Sequence, residues 1–119
     1  SNLLIVDAYN ANPSSMAAAL DNFARISVAE PKMAILGDMR ELGPTSTEEH
    51  QRVIDTLEKM QLADVWLVGS EFAKTRTHFR RFDNVDEVKA AIAADKPQGK
   101  CILVKGSNGT KLFQLPALL

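Results

Sequence analysis

Cysteine is nearly absent from this sequence, in which Cys101 is the single example. One cysteine cannot form an internal disulfide, and because Cys101 falls in an apolar run we expect it to be a small buried hydrophobic side chain. Long apolar segments are missing too. No stretch approaches the ~20 residues that a transmembrane helix needs, and no signal peptide precedes the first predicted strand. A cytoplasmic setting is therefore the default expectation.

An excess of charge of either sign is also missing, since the formal net charge of the 119 residues is −1. This balance gives no electrostatic basis for binding nucleic acid or an anionic membrane. No group of Cys, His and carboxylate residues has metal-ligand spacing, and no serine elbow or nucleophile–base pair is visible. We therefore predict neither a metal site nor a catalytic residue within these residues.

What the sequence contains is a regular alternation of apolar runs and helical patterns, which is typical of βαβ units in a single α/β domain. The first run, LLIV, has four branched apolar residues in succession. Such a run predicts a strand buried on both faces, as found inside a parallel sheet. The predicted strands are Leu3–Asp7, Met33–Leu36, one that ends near Gly69, a short one at 78–82 and Cys101–Val104.

Three helix starts are marked by capping residues, and apolar residues follow each of them at helical spacing. The second start has the capping-box pattern and is the clearest. A short helix is expected soon after residue 71, and the tail from Thr110 is expected to be a helical turn interrupted by Pro116. The three starts are Asn12-Pro13, Ser46-x-x-Glu49 and Asn84-x-x-Glu87.

Parallel strands joined by right-handed crossovers bring all their carboxyl ends to one edge of the sheet. In open α/β sheets ligands bind at that edge. Four polar segments that are far apart in the sequence should therefore line one rim, which is the predicted site. They are DAYNANP, GDMRELG, GS and KGSNG, each of which follows a predicted strand.

Each polar residue of the rim has both a structural and a functional interpretation. The Asp7 carboxylate can turn the chain by accepting backbone amides, or it can accept both hydroxyls of a ribose. Tyr9 can be partial core or stack on a base, Asn10 can bind the edge of a base or an amide, and Asn12 is first of all an N-cap. The segment 105–109 is either a plain turn or a lysine-containing loop that holds an anion.

Two further polar features have ordinary structural explanations. The charges between Gly37 and Gly43 are expected to be solvated, as most loop charges are. His50 lies three and four residues before Val53 and Ile54, at the edge of an apolar helix face. We therefore expect His50 to be packed and hydrogen-bonded rather than catalytic.

Three strings, DAYNANPSSM, LGDMRELG followed by a histidine, and LVKGSNG, resemble the C-terminal domain of the Mur ligase family. The likeness covers nearly the whole chain, in order and spacing. It implies a three-layer, Rossmann-like α/β domain, residues 1–119, with a mostly parallel sheet of five or six strands flanked by helices. It also implies that the chain is a fragment of a three-domain enzyme, which agrees with the missing initiator methionine.

The implied activity is ATP-dependent ligation in peptidoglycan synthesis, in which D-alanyl-D-alanine is joined to UDP-N-acetylmuramoyl-tripeptide through an acyl phosphate. ATP and Mg²⁺ would be held mainly by the central domain of the same chain, over which this domain closes. The chain lacks the G-x-x-x-x-G-K-[ST] phosphate loop, so the fragment alone is expected to be inactive.

The resemblance also implies roles for seven residues of the rim. The residues after the first strand would bind ATP. Of these, the aspartate would hold the ribose, and the others would lie near the adenine and the incoming amino substrate. Those after the last strand would face D-alanyl-D-alanine, although an asparagine stands where the family pattern has an arginine. The first set is Asp7, Tyr9, Asn10 and Asn12, and the second is Lys105, Ser107 and Asn108.

Two alternatives stay open at this point. A receiver-type signalling domain also has an aspartate after its first strand and a lysine after its last, as Asp7 and Lys105 are. It needs an acidic pair at the first position, where Ala8 follows here, and a phosphoacceptor aspartate after the third strand, where this chain has Gly69 and Ser70. A non-enzymatic ligand-binding α/β domain would explain the fold but not the polar rim.

Overall fold

A computed structural model describes all residues from 1 to 119. It contains five β-strands, three α-helices and five short 3-10 turns. Two of the 3-10 turns connect strands and helices within the domain, and the other three lie in the tail after the last strand. The strands are β1 (Leu3–Asp7), β2 (Lys32–Gly37), β3 (Asp64–Val68), β4 (Arg80–Phe82) and β5 (Cys101–Lys105). The helices are α1 (Pro13–Arg25), α2 (Ser46–Lys59) and α3 (Val85–Ala94).

All five strands are parallel and lie in the order β1-β5-β2-β3-β4. The predicted α/β sheet is thus confirmed, but the prediction that the first strand is buried on both faces is wrong. β1 pairs only with β5 and forms an edge, where Leu3, Ile5 and Val6 are exposed. Strand order, which apolar composition does not encode, decides which strand is covered.

The sheet is the middle of three layers. Alternate residues of β2 separate the two cores: Ala34 and Leu36 pack against α1 and α2, whereas Met33 and Ile35 pack against α3 and the tail. This alternation follows from the two-residue period of a strand. Cys101 is buried, as predicted, and burial raises the pKa of its thiol.

Two of the three predicted helix starts are confirmed. Asn12 Oδ1 accepts a hydrogen bond from Ser15 N at 2.8 Å, and Asn84 Oδ1 accepts one from Glu87 N at 3.1 Å. The capping box at Ser46 is wrong. A 3-10 turn (Gly43–Thr45) runs directly into α2, so Ser46 is already helical and its hydroxyl bonds elsewhere.

The segment that follows β1 and the segment that follows β5 pass to opposite faces of the sheet. β1 leads to α1 in one core, whereas the segment after β5 places Leu112 in the other core. Such a switch point is where open α/β sheets bind ligands. The order also differs from the 2-1-3-4-5 order of receiver-type domains, in which the first strand is internal.

The tail is helical in short pieces rather than in one turn. It forms 3-10 turns at Asn108–Thr110, Leu112–Gln114 and Pro116–Leu118. Their apolar side chains complete the core beneath α3. None of the helices is both long and apolar enough to cross a bilayer.

Candidate functional site

The four polar segments meet at the carboxyl edge of the sheet, as the strand polarity predicts. Direct backbone bonds join them: Ser107 N donates to Asp38 O at 3.2 Å, and Asp38 N donates to Val68 O at 3.0 Å. Asp7 and Lys105 are partners in the register of β1 and β5. Segments separated by up to a hundred residues thus form one continuous rim.

The buried side chain of Lys105 is hydrogen-bonded to the loop that follows β1. Its side chain is 1% exposed, and Nζ donates to Asp7 Oδ2 at 2.6 Å and to the Asn10 carbonyl oxygen at 3.0 Å. The Asp7 side chain is 56% exposed, so its second oxygen faces the solvent. A buried ammonium therefore fixes the carboxylate and leaves half of its accepting capacity free.

Tyr9 is the most exposed of the large hydrophobic residues of the chain, at 71%. Its ring is nearly parallel to that of Phe113, with the centroids 5.9 Å apart and an interplanar angle of 4°. Tyr9 is therefore not core, and the pair presents a flat aromatic surface beside Asp7. Phe113 was not singled out from the sequence, because nothing local links the tail to the first loop.

The other predicted site residues differ in how far their polar atoms are already hydrogen-bonded within the chain. The Asn12 carbonyl oxygen and side-chain oxygen are both used in capping α1. Asn10 and Asn108 are exposed, with side chains that make no hydrogen bond within the chain. Ser107 is 8% exposed, and its hydroxyl oxygen is the one buried side-chain polar atom without a partner.

Among the charged residues between Gly37 and Gly43, Arg40 and Glu41 are exposed, as predicted, but Asp38 is not. Asp38 is 5% exposed and its two carboxylate oxygens accept hydrogen bonds from Glu71 N at 2.9 Å and Phe72 N at 3.0 Å. Asp38 thus ties the loop after β2 to the turn after β3. Its position directly after a buried strand, like that of Asp7, is the sequence signal that could have indicated this.

His50 is packed and hydrogen-bonded, as predicted. It is fully buried, its ring contacts Phe72 edge-on, and its Nε2 accepts a hydrogen bond from Met39 N at 3.0 Å. Nδ1 donates to the Ser46 carbonyl oxygen at 2.7 Å. Because Nε2 accepts, the proton of the neutral imidazole is on Nδ1. His50 therefore anchors the loop after β2 to the start of α2.

Glu71 extends this network to the surface. The Ser46 hydroxyl donates to Glu71 Oε1 at 2.5 Å, and Lys74 Nζ lies 3.0 Å from Oε2. The Ser46 hydrogen bond, followed by the one from Lys74, lowers the pKa of Glu71 below its ordinary value of 4.5. Both bonds stabilise the ionised carboxylate.

Arg40 is a rim residue that sequence reasoning missed. Its guanidinium lies directly against Gly109, where an added Cβ would be 2.9 Å from Cζ. The side chain is exposed and takes part in none of the ion pairs of the chain. No group of three or more His, Cys, Asp or Glu residues is placed to hold a metal ion. The rim is thus a polar edge with unpaired hydrogen-bonding groups.

Known proteins resemble this chain along nearly its whole length. The Mur ligase, glutamate ligase domain family matches residues 1–108. A UDP-N-acetylmuramoyl-tripeptide–D-alanyl-D-alanine ligase of Treponema pallidum is 36% identical over 97% of this chain and 27% of its own length. The corresponding ligase of Rickettsia prowazekii is 33% identical over 94% of this chain and 26% of its own length.

Solved structures agree with the fold. MurF from Acinetobacter baumannii superposes with a TM-score of 0.73 at 29% identity, over 98% of this chain and 27% of that one. MurF ligase from Thermotoga maritima in complex with ADP gives a TM-score of 0.76 at 20% identity, over 97% of this chain and 27% of that one. This chain spans about a quarter of the length of the relatives it matches. From the family match and these identities, the chain belongs to the Mur ligase family.

Proposed function

We propose that these residues form the C-terminal domain of an ATP-dependent ligase that joins D-alanyl-D-alanine to UDP-N-acetylmuramoyl-tripeptide. The relatives of this chain carry that ligase's name, and the arrangement of Asp7 over buried Lys105 at the switch point is the observation that carries the proposal. The domain covers ATP and the amino substrate, which the N-terminal and central domains of the same chain present to it.

The first loop fits the sugar and base of a nucleotide. Asp7 offers an exposed carboxylate oxygen to the ribose hydroxyls, because Lys105 holds the other oxygen. Tyr9, backed by Phe113, offers a flat ring on which adenine can stack. The side-chain amide of Asn10 and the side-chain nitrogen Nδ2 of Asn12, whose backbone N–H donates to Ser15 Oγ, are free to bind the base edge or the incoming amine. The MurF ligase of Thermotoga maritima forms a complex with ADP, which supports a nucleotide as a ligand of the full-length enzyme.

The loop after β5 fits the amino substrate. Ser107 holds a buried hydroxyl that no group of this chain satisfies, and such an orphan suits a loop that a ligand or a neighbouring domain completes. Exposed Asn108 adds a donor and an acceptor beside it. Lys105, in contrast, acts through Asp7 and Asn10, and its direct contact with substrate stays a prediction.

The chemistry is acyl activation. The tripeptide carboxylate takes the γ-phosphoryl group of ATP, ADP leaves, and the dipeptide amine then attacks the acyl carbon and releases phosphate. Mg²⁺ supplies charge stabilisation for the transferred group. This chain has no cluster of ligands for it, so its proposed place is the central domain. The residues described here bind and orient the reactants and exclude water from the acyl phosphate.

The test uses the full-length protein that contains these residues. It should release ADP over many turnovers only when ATP, UDP-N-acetylmuramoyl-tripeptide and D-alanyl-D-alanine are all present. In the Asp7→Asn variant the KM for ATP should rise roughly tenfold, the effect of losing a charged hydrogen-bond acceptor, while the KM for the dipeptide changes little.

Asp95→Asn is the matched control, since Asp95 is exposed and follows α3 at the opposite edge of the sheet. It should leave both KM values unchanged. Sustained ADP release over many turnovers without the dipeptide, or an equal effect of the two variants on the KM for ATP, would contradict the proposal.

A further inference from the structure

A single peptide group, the one between Asp38 and Met39 just after β2, connects buried His50 to the loop after β5. Its N–H belongs to Met39 and donates to His50 Nε2 at 3.0 Å. Its C=O belongs to Asp38 and accepts a hydrogen bond from Ser107 N at 3.2 Å. Because the N–H and C=O of a trans peptide point in opposite directions, His50 and Ser107 lie on opposite sides of this group.

All parts of this connection are shielded from water. His50 is fully buried, Met39 is 1% exposed and Ser107 is 8% exposed. In such surroundings a hydrogen bond is electrostatically stronger than in water, and two bonds made through one amide polarise that amide and strengthen each other. The acceptor on His50 therefore strengthens the bond between the Asp38 carbonyl oxygen and Ser107 N.

The position of the His50 ring is set by α2 and not by the rim. Nδ1 donates to the Ser46 carbonyl oxygen at 2.7 Å, one helical turn earlier, and the ring packs edge-on against Phe72. The helix itself is fixed by its buried apolar residues. Nε2 is therefore a hydrogen-bond acceptor held at a defined point behind the loop after β2.

Ser107 has few other polar connections outside its own turn. Its carbonyl oxygen accepts hydrogen bonds from Thr110 N at 3.0 Å and from Thr110 Oγ1 at 2.6 Å, and its hydroxyl has no partner. The bond to Asp38 is thus the one hydrogen bond by which Ser107 is tied to a neighbouring loop. The direction in which the unsatisfied hydroxyl points then depends on the peptide between Asp38 and Met39.

We propose that His50 is a positioning residue for the loop after β5 and acts through the peptide group between Asp38 and Met39. This inference rests on the proposed function, which assigns that loop to the amino substrate. His50 contacts no reactant. It holds Met39 N–H, which orients the Asp38 carbonyl oxygen, and that oxygen places Ser107.

Two amide substitutions in the full-length enzyme separate the two ring nitrogens of His50. In His50→Gln the side-chain oxygen reaches the position of Nε2 and can accept from Met39 N. In His50→Asn the shorter side chain reaches only the position of Nδ1, so Met39 N–H loses its acceptor. The two variants place the same chemical group in the same buried site, and each serves as the control for the other.

The KM for each substrate measures the effect on the loop. His50→Asn should raise the KM for D-alanyl-D-alanine roughly tenfold, about the effect of one lost buried hydrogen bond. The KM for ATP should change little, because Lys105 holds Asp7 by a bond of its own. His50→Gln should keep both KM values close to those of the wild type.

Hydrogen exchange measures the connection without any substrate. In the full-length His50→Asn variant the amide protons of Met39 and Ser107 should both exchange roughly tenfold faster than in the wild type, whereas His50→Gln should protect both. If His50 served only to pack α2 against the loop after β2, exchange would be faster at Met39 and unchanged at Ser107.

Val88→Ala is the control for lost stability, because Val88 is fully buried in the other core, on the opposite face of the sheet from α2. It should lower the melting temperature and change neither KM. Unchanged exchange at Ser107 in His50→Asn, or an equal rise of the dipeptide KM in the Asn and Gln variants, would overturn the inference alone. A wild type that does not ligate D-alanyl-D-alanine would overturn the proposed function, while exchange at Ser107 would still decide whether His50 positions the loop.

Discussion

At the scale of single residues, the rim depends on a close approach at Gly69. Its φ of 122° lies in the region that favours glycine, and an added Cβ would be 2.3 Å from the Asp38 carboxylate. That carboxylate accepts two backbone hydrogen bonds from the turn after β3. Position 69 therefore tolerates no side chain while Asp38 keeps its partners.

Gly69→Ala should lower the free energy of unfolding by about 2–5 kcal/mol, since backbone strain adds to the loss of charged hydrogen bonds. Urea unfolding of the two proteins measures the difference. Gly99→Ala is the control: its φ is also positive, at 65°, but nothing lies within 4 Å of an added Cβ. It should cost only ~1 kcal/mol. Equal losses at the two positions would contradict the role given to Asp38.

The sequence predicted where Asp7 and Lys105 lie but not what they do to each other. Strand polarity alone places both at one edge. Their ion pair, and the packing of Arg40 on Gly109, depend on register and on loop conformations that separate segments impose on one another. The site was therefore predictable as a location and as a set of loops, whereas its individual contacts were not.

At the scale of elements, local signals were reliable where no distant group competed. Asn12 and Asn84 cap their helices as predicted, because each needs only an amide three residues ahead. Ser46 does not cap α2, since the preceding 3-10 turn makes Ser46 already helical, and its hydroxyl donates instead to Glu71, which follows β3. The prediction that β1 lies inside the sheet failed for a similar reason. The composition of the strand is a local property of the sequence, whereas which strands lie beside it depends on distant segments.

The Ser46–Glu71 bond should make stability depend on pH. The pKa of Glu71 is lowered in the folded protein, so the stabilisation is fully present above the unfolded value near 4.5 and is lost as the pH falls through the lower folded value. Ser46→Ala should thus cost about 1 kcal/mol at neutral pH and progressively less in acid. Unfolding curves at several pH values measure this.

Thr56→Ala is a suitable control for Ser46→Ala. Thr56 is an exposed hydroxyl residue of the same helix and bonds only to the Arg52 carbonyl oxygen. Its replacement should change stability by the same small amount at every pH. If the cost of Ser46→Ala were also independent of pH, the hydrogen bond would not be what holds Glu71 ionised.

At the scale of the whole molecule, β1 leaves one side of the sheet open. Its outer N–H and C=O groups have no strand partner, and Leu3, Ile5 and Val6 are exposed beside them. Unprotected edges of this kind pair with other chains. The apolar residues of β1, from which a buried strand was predicted, therefore form an exposed edge that is prone to association.

We expect the 119 residues alone to associate as their concentration rises, and Ile5→Lys to suppress this, because a charge on an edge strand disfavours pairing. Sedimentation velocity over a concentration series measures the effect. Leu118→Lys removes a similarly exposed apolar side chain from a 3-10 turn rather than from a strand. Suppression by both variants would indicate general apolar contact instead of edge pairing.

The position of β5 has a consequence for biosynthesis. Although it is the last strand of the domain to leave the ribosome, it lies between β1 and β2. Until it emerges, β1 has no strand to pair with, and the two ends of the domain must then find each other, a non-local step that is typically slow. Until β5 is made, the nascent domain therefore displays an unpaired β1 and one open edge of β2, which favours binding by chaperones that hold extended apolar segments.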